Sequence, residues 1–328
     1  MEVFGTMKNI ALISTGGTIA GSGRMSEYEA GTLDVRSIID SIPEIKSLAN
    51  LKLFPLCSKD SNDITEKDWL ALRDLCHQLE KDPSIDGIVI THGTDTFEET
   101  AFFLNLTLQN RKPVVMTGAM RPASAVSADG PMNLYEAVSL ASHPNAYKAG
   151  VLAVFADTIY SARDLVKTNS LKTNAFDMGE YGALGFMRDE HVYFENMPYR
   201  KHTCESLFAH LEYSQLPRVG IFYVHAGADP QLLRYMLDHY DGIVLAGSGA
   251  GNYSNAIKTV VEEYDGPCRI VRSSRLLEGA VFGSKIFDPE QKTIPSFKLS
   301  PHKARILLMV ALVYTQDLEK LKMIFETY

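Results

Sequence analysis

Gly87-Ile88-Val89-Ile90-Thr91 is an apolar, β-branched run, followed directly by the turn His92-Gly93-Thr94-Asp95-Thr96 and a helical pattern from Glu98 to Leu108. A strand, a glycine-bearing turn and a helix in that order form the unit of parallel α/β architecture. The same order recurs outward in both directions. Asn9 to Ser14, Pro113 to Thr117, Val151 to Phe155, Val219 to Val224, Gly242 to Leu245 and Arg269 to Val271 are further near-continuous apolar runs. Strands covered on both faces read this way, so all are expected in sheet interiors. Helical patterns occupy Glu66 to Leu79, Asn133 to Ala141, Gln231 to Asp238, Ala256 to Tyr264, Pro301 to Tyr314 and Asp317 to Phe325. Ser300-Pro301 supplies an N-cap and a first-turn proline. A polar stretch from Glu195 to Leu216 lacks such periodicity and separates two groups of strands. The expected organisation is a larger N-terminal α/β domain over residues 1–196, a linker over 197–216 and a smaller C-terminal α/β domain over 217–328.

Composition narrows the function. The 328 residues are 45% hydrophobic and 22% charged, the balance of a globular chain. Lys and Arg number 32 against 40 Asp and Glu, a net charge of −8 with no basic cluster, so neither nucleic acid nor an anionic membrane surface is expected as a partner. The apolar run Ile306 to Val313 falls far short of the roughly 20 residues that span a bilayer. Residues 1–8 lack the basic, apolar and small-residue regions of an export signal, which places the chain in the cytoplasm, or in the periplasm if a leader has been removed. Cys57, Cys76, Cys204 and Cys268 are scattered, without Cys-x-x-Cys or a neighbouring His at ligand spacing, and read as reduced thiols. No metal is expected.

Ligands of open parallel sheets bind beyond the carboxyl ends of the strands. Three such segments combine glycine with hydroxyls: Ser14-Thr15-Gly16-Gly17-Thr18-Ile19-Ala20-Gly21, Thr91-His92-Gly93-Thr94-Asp95-Thr96 and Thr117-Gly118-Ala119-Met120-Arg121-Pro122. A single Gly/Thr turn is weak evidence, because tight turns use these residues for steric reasons. Three on separate strands, with Asp95 in one and Lys167 in Arg163-Asp164-Leu165-Val166-Lys167-Thr168-Asn169, point to a hydroxyl-lined active site. A threonine hydroxyl needs a base to become a nucleophile at neutral pH, and Lys167 is the candidate. His92 is read as a structural histidine in preference to a base. Gly247-x-Gly249-x-Gly251 lacks the spacing of a dinucleotide fingerprint.

These segments resemble the bacterial-type L-asparaginase and glutaminase-asparaginase family, particularly its exported branch. The resemblance runs through Thr15 to Gly21, Ile90 to Ala101, Gly118 to Pro122, Ser127-Ala128-Asp129-Gly130-Pro131, Lys167-Thr168-Asn169, Arg200 to Thr203, Val271 to Arg275 and Lys303-Ala304-Arg305, nearly the whole chain in order. It implies a mostly parallel N-terminal sheet, a flavodoxin-like C-terminal domain and a homotetramer of two intimate dimers. It also implies cofactor-free hydrolysis of a side-chain amide through an acyl-enzyme. By the same resemblance Thr18 is the nucleophile and Tyr28 activates it. Thr94, Asp95 and Lys167 position or activate the attacking group, Ser58 and Asp95 hold the α-carboxylate and α-ammonium, Gly93 and Ala119 belong to the substrate-binding set, and backbone donors around Thr94 and Ala119 face the oxyanion.

Three departures fall on the substrate-binding end. Lys59 stands where the family has glutamine, and Ala250 where it has asparagine. No acidic residue after Arg275 matches the family's, since Glu278 is too early and Glu290 too late. A lysine ammonium about 4 Å from a substrate ammonium repels it by about 4 kcal/mol at an effective dielectric near 20. Lys59 therefore either pairs with Asp60 or Asp63, leaving L-asparagine as substrate, or meets an asparagine derivative whose α-nitrogen is uncharged or absent. A catalytically silent amino-acid binder and the ammonia-supplying subunit of an amidotransferase are the other readings. The intact Thr18, Tyr28, Thr94, Asp95 and Lys167 oppose the first, and a start almost at the first strand opposes the second.

Overall fold

The computed structural model describes residues 7–24, 27–29 and 35–328, with the side chains of 20, 22–24, 27–29, 35, 37 and 38 outside that description. Two compact units divide the chain, Met1–His210 and Leu211–Tyr328. The first runs β1 (Lys8–Gly16), β2 (Ser22–Arg24), β3 (Glu27–Glu29), α1 (Val35–Asp40), α2 (Ile45–Leu48), β4 (Ala49–Lys59), α3 (Glu66–Lys81), β5 (Gly87–Thr91) and α4 (Phe97–Thr107). It continues through β6 (Val114–Thr117), α5 (Gly130–Ser142), β7 (Val151–Phe155), β8 (Thr158–Ser161), β9 (Val166–Lys167), β10 (Phe176–Asp177), β11 (Gly185–Arg188) and β12 (His191–Phe194).

Eight of these strands form one sheet in the order β12-β11-β8-β7-β6-β5-β1-β4. From β7 to β4 every pairing is parallel, whereas β8, β11 and β12 extend the sheet antiparallel. The apolar runs of β5, β6 and β7 are buried at every position, because helices cover both faces of a parallel sheet. Thr65 opens α3 with a capping box closed by Asp68, and Trp69, Leu72, Cys76 and Leu79 form its buried stripe. Helices α4 and α5 are buried almost all round. Phe97, Phe155 and Phe176 cluster with ring centroids 4.4–5.5 Å apart, Phe155 stacked on Phe176 and Phe97 edge-on to Phe155. Within 197–216, His202, Thr203, Phe208 and Ala209 are buried, and the Ala209 carbonyl accepts bonds from Arg73 and Gln109.

The second unit runs β13 (Val219–Tyr223), α6 (Pro230–His239), β14 (Gly242–Gly247), α7 (Asn255–Glu263), β15 (Arg269–Ser274), β16 (Thr293–Pro295), α8 (Pro301–Tyr314) and α9 (Leu318–Thr327). Its four strands lie in sequence order, all parallel. Alternation along β14 sends Ile243 and Leu245 into a cluster with Leu233, Leu237, Ile257 and Val260 of α6 and α7. Helix α8 approaches where Gly242 has no side chain; a Cβ there would stand 2.6 Å from the Leu308 side chain. Ser300 caps α8 by accepting from the Lys303 N–H.

One strand assignment is corrected. The run at Val219 is an edge strand, with Gly220 and Ile221 half-buried and Tyr223 exposed. Apolar character alone does not separate an edge from an interior position, since the neighbour on one side is fixed by the sheet order. Strand β4 escapes notice in the sequence for a related reason. It is a half-exposed edge, so polar residues interrupt its apolar positions.

Candidate active site

Because β6, β5, β1 and β4 are adjacent and parallel, the turns after them gather at one end of the sheet. They interlock through glycine. Gly17, at φ +84°, leaves no room for a side chain: a Cβ would lie 2.5 Å from the Gly93 backbone. A Cβ on Gly118 would lie 2.4 Å from the His92 carbonyl oxygen. The Gly17 N–H donates to the Lys59 carbonyl at 3.0 Å, joining the first turn to the end of β4.

Several hydroxyls in these turns hold backbone and do not face a ligand. Thr15 donates to the Thr91 carbonyl, Thr117 to Val154 and Thr96 to Ser61. Thr18 and Thr94 line a cavity of about 180 Å³, together with Gly17, Gly93, Asp95 and Lys167, and with Asp60, Ser61, Met120 and Ser170. The hydroxyl-lined crevice expected from the sequence is thus narrower than its threonine content suggests.

Lys167 unites the chemistry. Its Nζ donates to Thr94 Oγ1 at 2.9 Å and to Asp95 Oδ1 at 2.6 Å, while its backbone N–H is held by Glu98 at 3.2 Å. Asn62 donates to the other Asp95 oxygen at 3.3 Å. The hydrogen bond from Lys167 holds the Asp95 carboxyl below the ordinary carboxylate range, against a smaller desolvation effect. With its oxygen accepting from Lys167, Thr94 keeps its own hydroxyl proton to donate.

His92 is fully buried, and burial pushes it down to about 4. Its Nδ1–H donates to the Gly93 carbonyl at 2.7 Å, and its Nε2 accepts from the Thr100 hydroxyl at 3.0 Å, which itself accepts from the Trp69 indole. Both ring nitrogens are engaged, as the structural reading requires.

Lys59 has a partner the sequence reading did not name. Its ammonium meets both oxygens of Asp68, at 2.7 and 2.8 Å, in place of Asp60 or Asp63. That hydrogen-bonded pairing raises the Lys59 pKa. Burial pushes Asp68 upward, but bonds from Lys59 and Thr65 outweigh it and leave the carboxyl below its usual range. Asp60 instead caps the turn Ser61–Asp63 by accepting from the Asn62 N–H.

Ser58 is exposed on β4 and Ala119 is fully buried; both lie outside the cavity lining. The β3 backbone pairs Tyr28 with Gly23, and the Tyr28 side chain is outside the described residues. The Ala250 carbonyl accepts from Arg272 at 3.1 Å. Asp60, Ser61, Asn62 and Ser170 were missed. The first three follow β4, and recognising that strand as a parallel neighbour of β1 would have directed attention to them. Among the described residues no group of three or more His, Cys, Asp or Glu could hold a metal ion.

A parallel-sheet crevice that sets two threonines beside a lysine–carboxylate pair has the parts of a hydrolase acting by nucleophilic attack. Comparison with known proteins makes the class definite. The family described as Asparaginase, N-terminal, matches residues 9–200, and the Glutaminase/Asparaginase C-terminal domain matches residues 218–325. L-asparaginase 2 of Escherichia coli is 40% identical over 98% of this chain and 94% of the relative. A protein of Haemophilus influenzae described as a probable periplasmic L-asparaginase is 39% identical over 98% and 93%. The crystal structure of a probable cytoplasmic L-asparaginase from Campylobacter jejuni superposes with a TM-score of 0.92 at 40% identity, covering 98% of this chain and 100% of that one. The chain belongs to the asparaginase family, and it is an amidohydrolase. Among the described residues no helix is long and apolar enough to cross a membrane.

Proposed function

We propose that this protein hydrolyses the side-chain amide of L-asparagine to L-aspartate and ammonia through an acyl-enzyme on Thr18. The observation that carries the reading is Lys167 donating to both Thr94 and Asp95 in a cavity that Thr18 also lines. Thr18 Oγ attacks the amide carbon, its proton passes to the leaving nitrogen with help from Tyr28, and cleavage of the C–N bond releases ammonia. Water, oriented by Thr94 and Lys167, then adds to the ester; Thr18 recovers its proton and the carboxylate departs. Backbone donors around Thr94 and Ala119 stabilise the oxyanion, an interaction that typically contributes about 10²–10³-fold per donor. Ser58 and Asp95 hold the ends of the amino acid, and the enzyme works as a homotetramer.

Lys59 bears on the choice of substrate. A cation bound by both oxygens of Asp68 is largely neutralised, so its repulsion of an α-ammonium is much reduced. That pairing favours free L-asparagine over a derivative lacking the ammonium. Ammonia release from L-asparagine, followed to saturation, tests the reading. A kcat/KM of about 10⁴ M⁻¹s⁻¹ or more supports it. A value orders of magnitude lower, with turnover of N-substituted or deaminated analogues, would transfer the function to those amides.

A further inference from the structure

Helix α5 carries a carboxyl into the interior of the first unit. Glu136 is fully buried, and among the described residues neither of its oxygens has a hydrogen-bond partner. A buried carboxylate without donors is far costlier than the neutral acid. The neighbours sharpen that preference. The Asp157 side chain lies within hydrogen-bonding reach and opposes a second negative charge, the Asp157 N–H pulls more weakly the other way, and Asp189 of the β11–β12 turn adds repulsion. Burial first, and then Asp157, push Glu136 up to about 8. Two carboxylates only accept, so they bond each other through a shared proton.

The elements packed on α5 supply no cation to the pair. Strands β5, β6 and β7 carry no titratable residue. Lys8 of β1 is paired with Asp86 and Lys46 of α2 with Asp40, while His191 of β12 faces Glu190. Glu190 and Glu44 press on Tyr135, the residue before Glu136. Among the described residues these carboxyls form no group that could hold a metal ion.

The partner belongs to a strained turn. Ala156 and Asp157, between β7 and β8, sit at φ +47° and +62°, a conformation that residues bearing a Cβ adopt at a cost. Such a turn persists when its surroundings hold it, and α5 holds it from two positions about one helical turn apart. Asn133 Oδ1 accepts from the Ala156 N–H at 3.1 Å, and Glu136 meets Asp157. From β11 the Met187 N–H donates to the Asp157 carbonyl at 2.8 Å. Asp157 is itself exposed, which gives the buried proton a route to water.

We propose that Glu136 and Asp157 form a proton-operated clasp: one carboxylic proton, donated by Glu136 to the Asp157 carboxylate, closes the β7–β8 turn onto α5, and its loss to solvent opens the turn. Glu136 holds its proton more tightly in the folded chain than in the unfolded one. Its contribution to stability is therefore complete below the unfolded value of about 4.5 and is lost as pH rises through about 8.

Denaturant unfolding of the full chain at fixed protein concentration, from about pH 5 to about pH 9, compares wild type with Glu136→Gln, which keeps the shape and a donor for Asp157 but cannot ionise. The wild-type folding constant is expected to fall relative to the variant by up to about tenfold per pH unit until about pH 8, and then to level off. Hydrogen exchange of residues 152–161, read by mass spectrometry with both proteins at the same pH, should match at about pH 6 and be faster in wild type at about pH 9. If Glu136→Gln does not fold, infrared spectroscopy of wild type decides, through a protonated carboxyl C=O band present at about pH 7 and lost by about pH 9. Parallel stability profiles, equal exchange under alkaline conditions, or no protonated band near neutrality would overturn the clasp.

Discussion

Both units end parallel strands in glycine-bearing turns, yet Lys167 of the first and Arg272 of the second are placed differently at them. In the first unit the turns are tied by neutral hydroxyls, an amide and a carboxylate: Thr15, Thr96, Thr117, Asn133 and Asp129 all bond backbone. Lys167 is left to face the cavity with Asp95 and Thr94. In the second unit the fully buried Arg272 does the tying, donating to the carbonyls of Ala250 and Phe282. The Gly247–Gly251 turn closes on itself through the Ser248–Asn252 bridge, and Leu276, Leu277, Phe282 and Ile286 stand exposed in the segment beyond β15. Strand-turn chemistry does not by itself make a site. What matters is whether the charged group is held by backbone or left for a substrate.

Removing the charged group from each unit sharpens this contrast. Lys167→Met is expected to lower kcat for ammonia release by about 10³-fold, within the usual range for a group assisting proton transfer, with thermal stability nearly unchanged. It also carries a pH signature. Lys167 depresses the folded-state pKa of Asp95, so the stability from this carboxylate is present above the unfolded pKa and is lost as pH falls through the folded one. In Lys167→Met this small contribution should vanish and the Asp95 carboxyl should titrate at higher pH, read by NMR. An unmoved titration would separate Asp95 from Lys167.

Arg272→Met should act in the reverse sense. Two carbonyls lose a charged donor, and denaturant unfolding should report a stability loss of about 2–3 kcal/mol. A stability unchanged by the substitution would mean that the guanidinium is not what ties the turns.

The smallest effect is expected at Lys59. Because Asp68 already holds its ammonium, Lys59→Gln should change kcat/KM for L-asparagine by less than about threefold, consistent with the modest worth of a partly exposed ion pair. A large gain would mean that the lysine does oppose the substrate ammonium.

The legible part of the molecule follows the same division. Buried parallel strands such as β5 and β7 announce themselves as apolar runs, and α8 begins at its capping serine and proline, because local sequence and tertiary burial agree there. Strands β4 and β13 were missed or misplaced because an edge is defined by an absent neighbour, which no local pattern records. Thr94, Asp95 and Lys167 were legible as strand-end chemistry, though only the fold brings Lys167 within 2.9 Å of a hydroxyl 73 positions away. The Lys59–Asp68 pair was not legible, since reading along the chain favours nearer carboxylates, whereas the capping of α3 brings Asp68 back to the end of β4.

The central claim, a threonine nucleophile in the first turn, is tested most directly by trapping the covalent intermediate. Enzyme mixed rapidly with L-asparagine and quenched in acid should yield an aspartyl ester on the peptide containing Thr18, absent from Thr18→Ala, whose ammonia release should fall by about 10⁴-fold. An ester on the Thr94 peptide instead, or turnover that survives in Thr18→Ala, would contradict it.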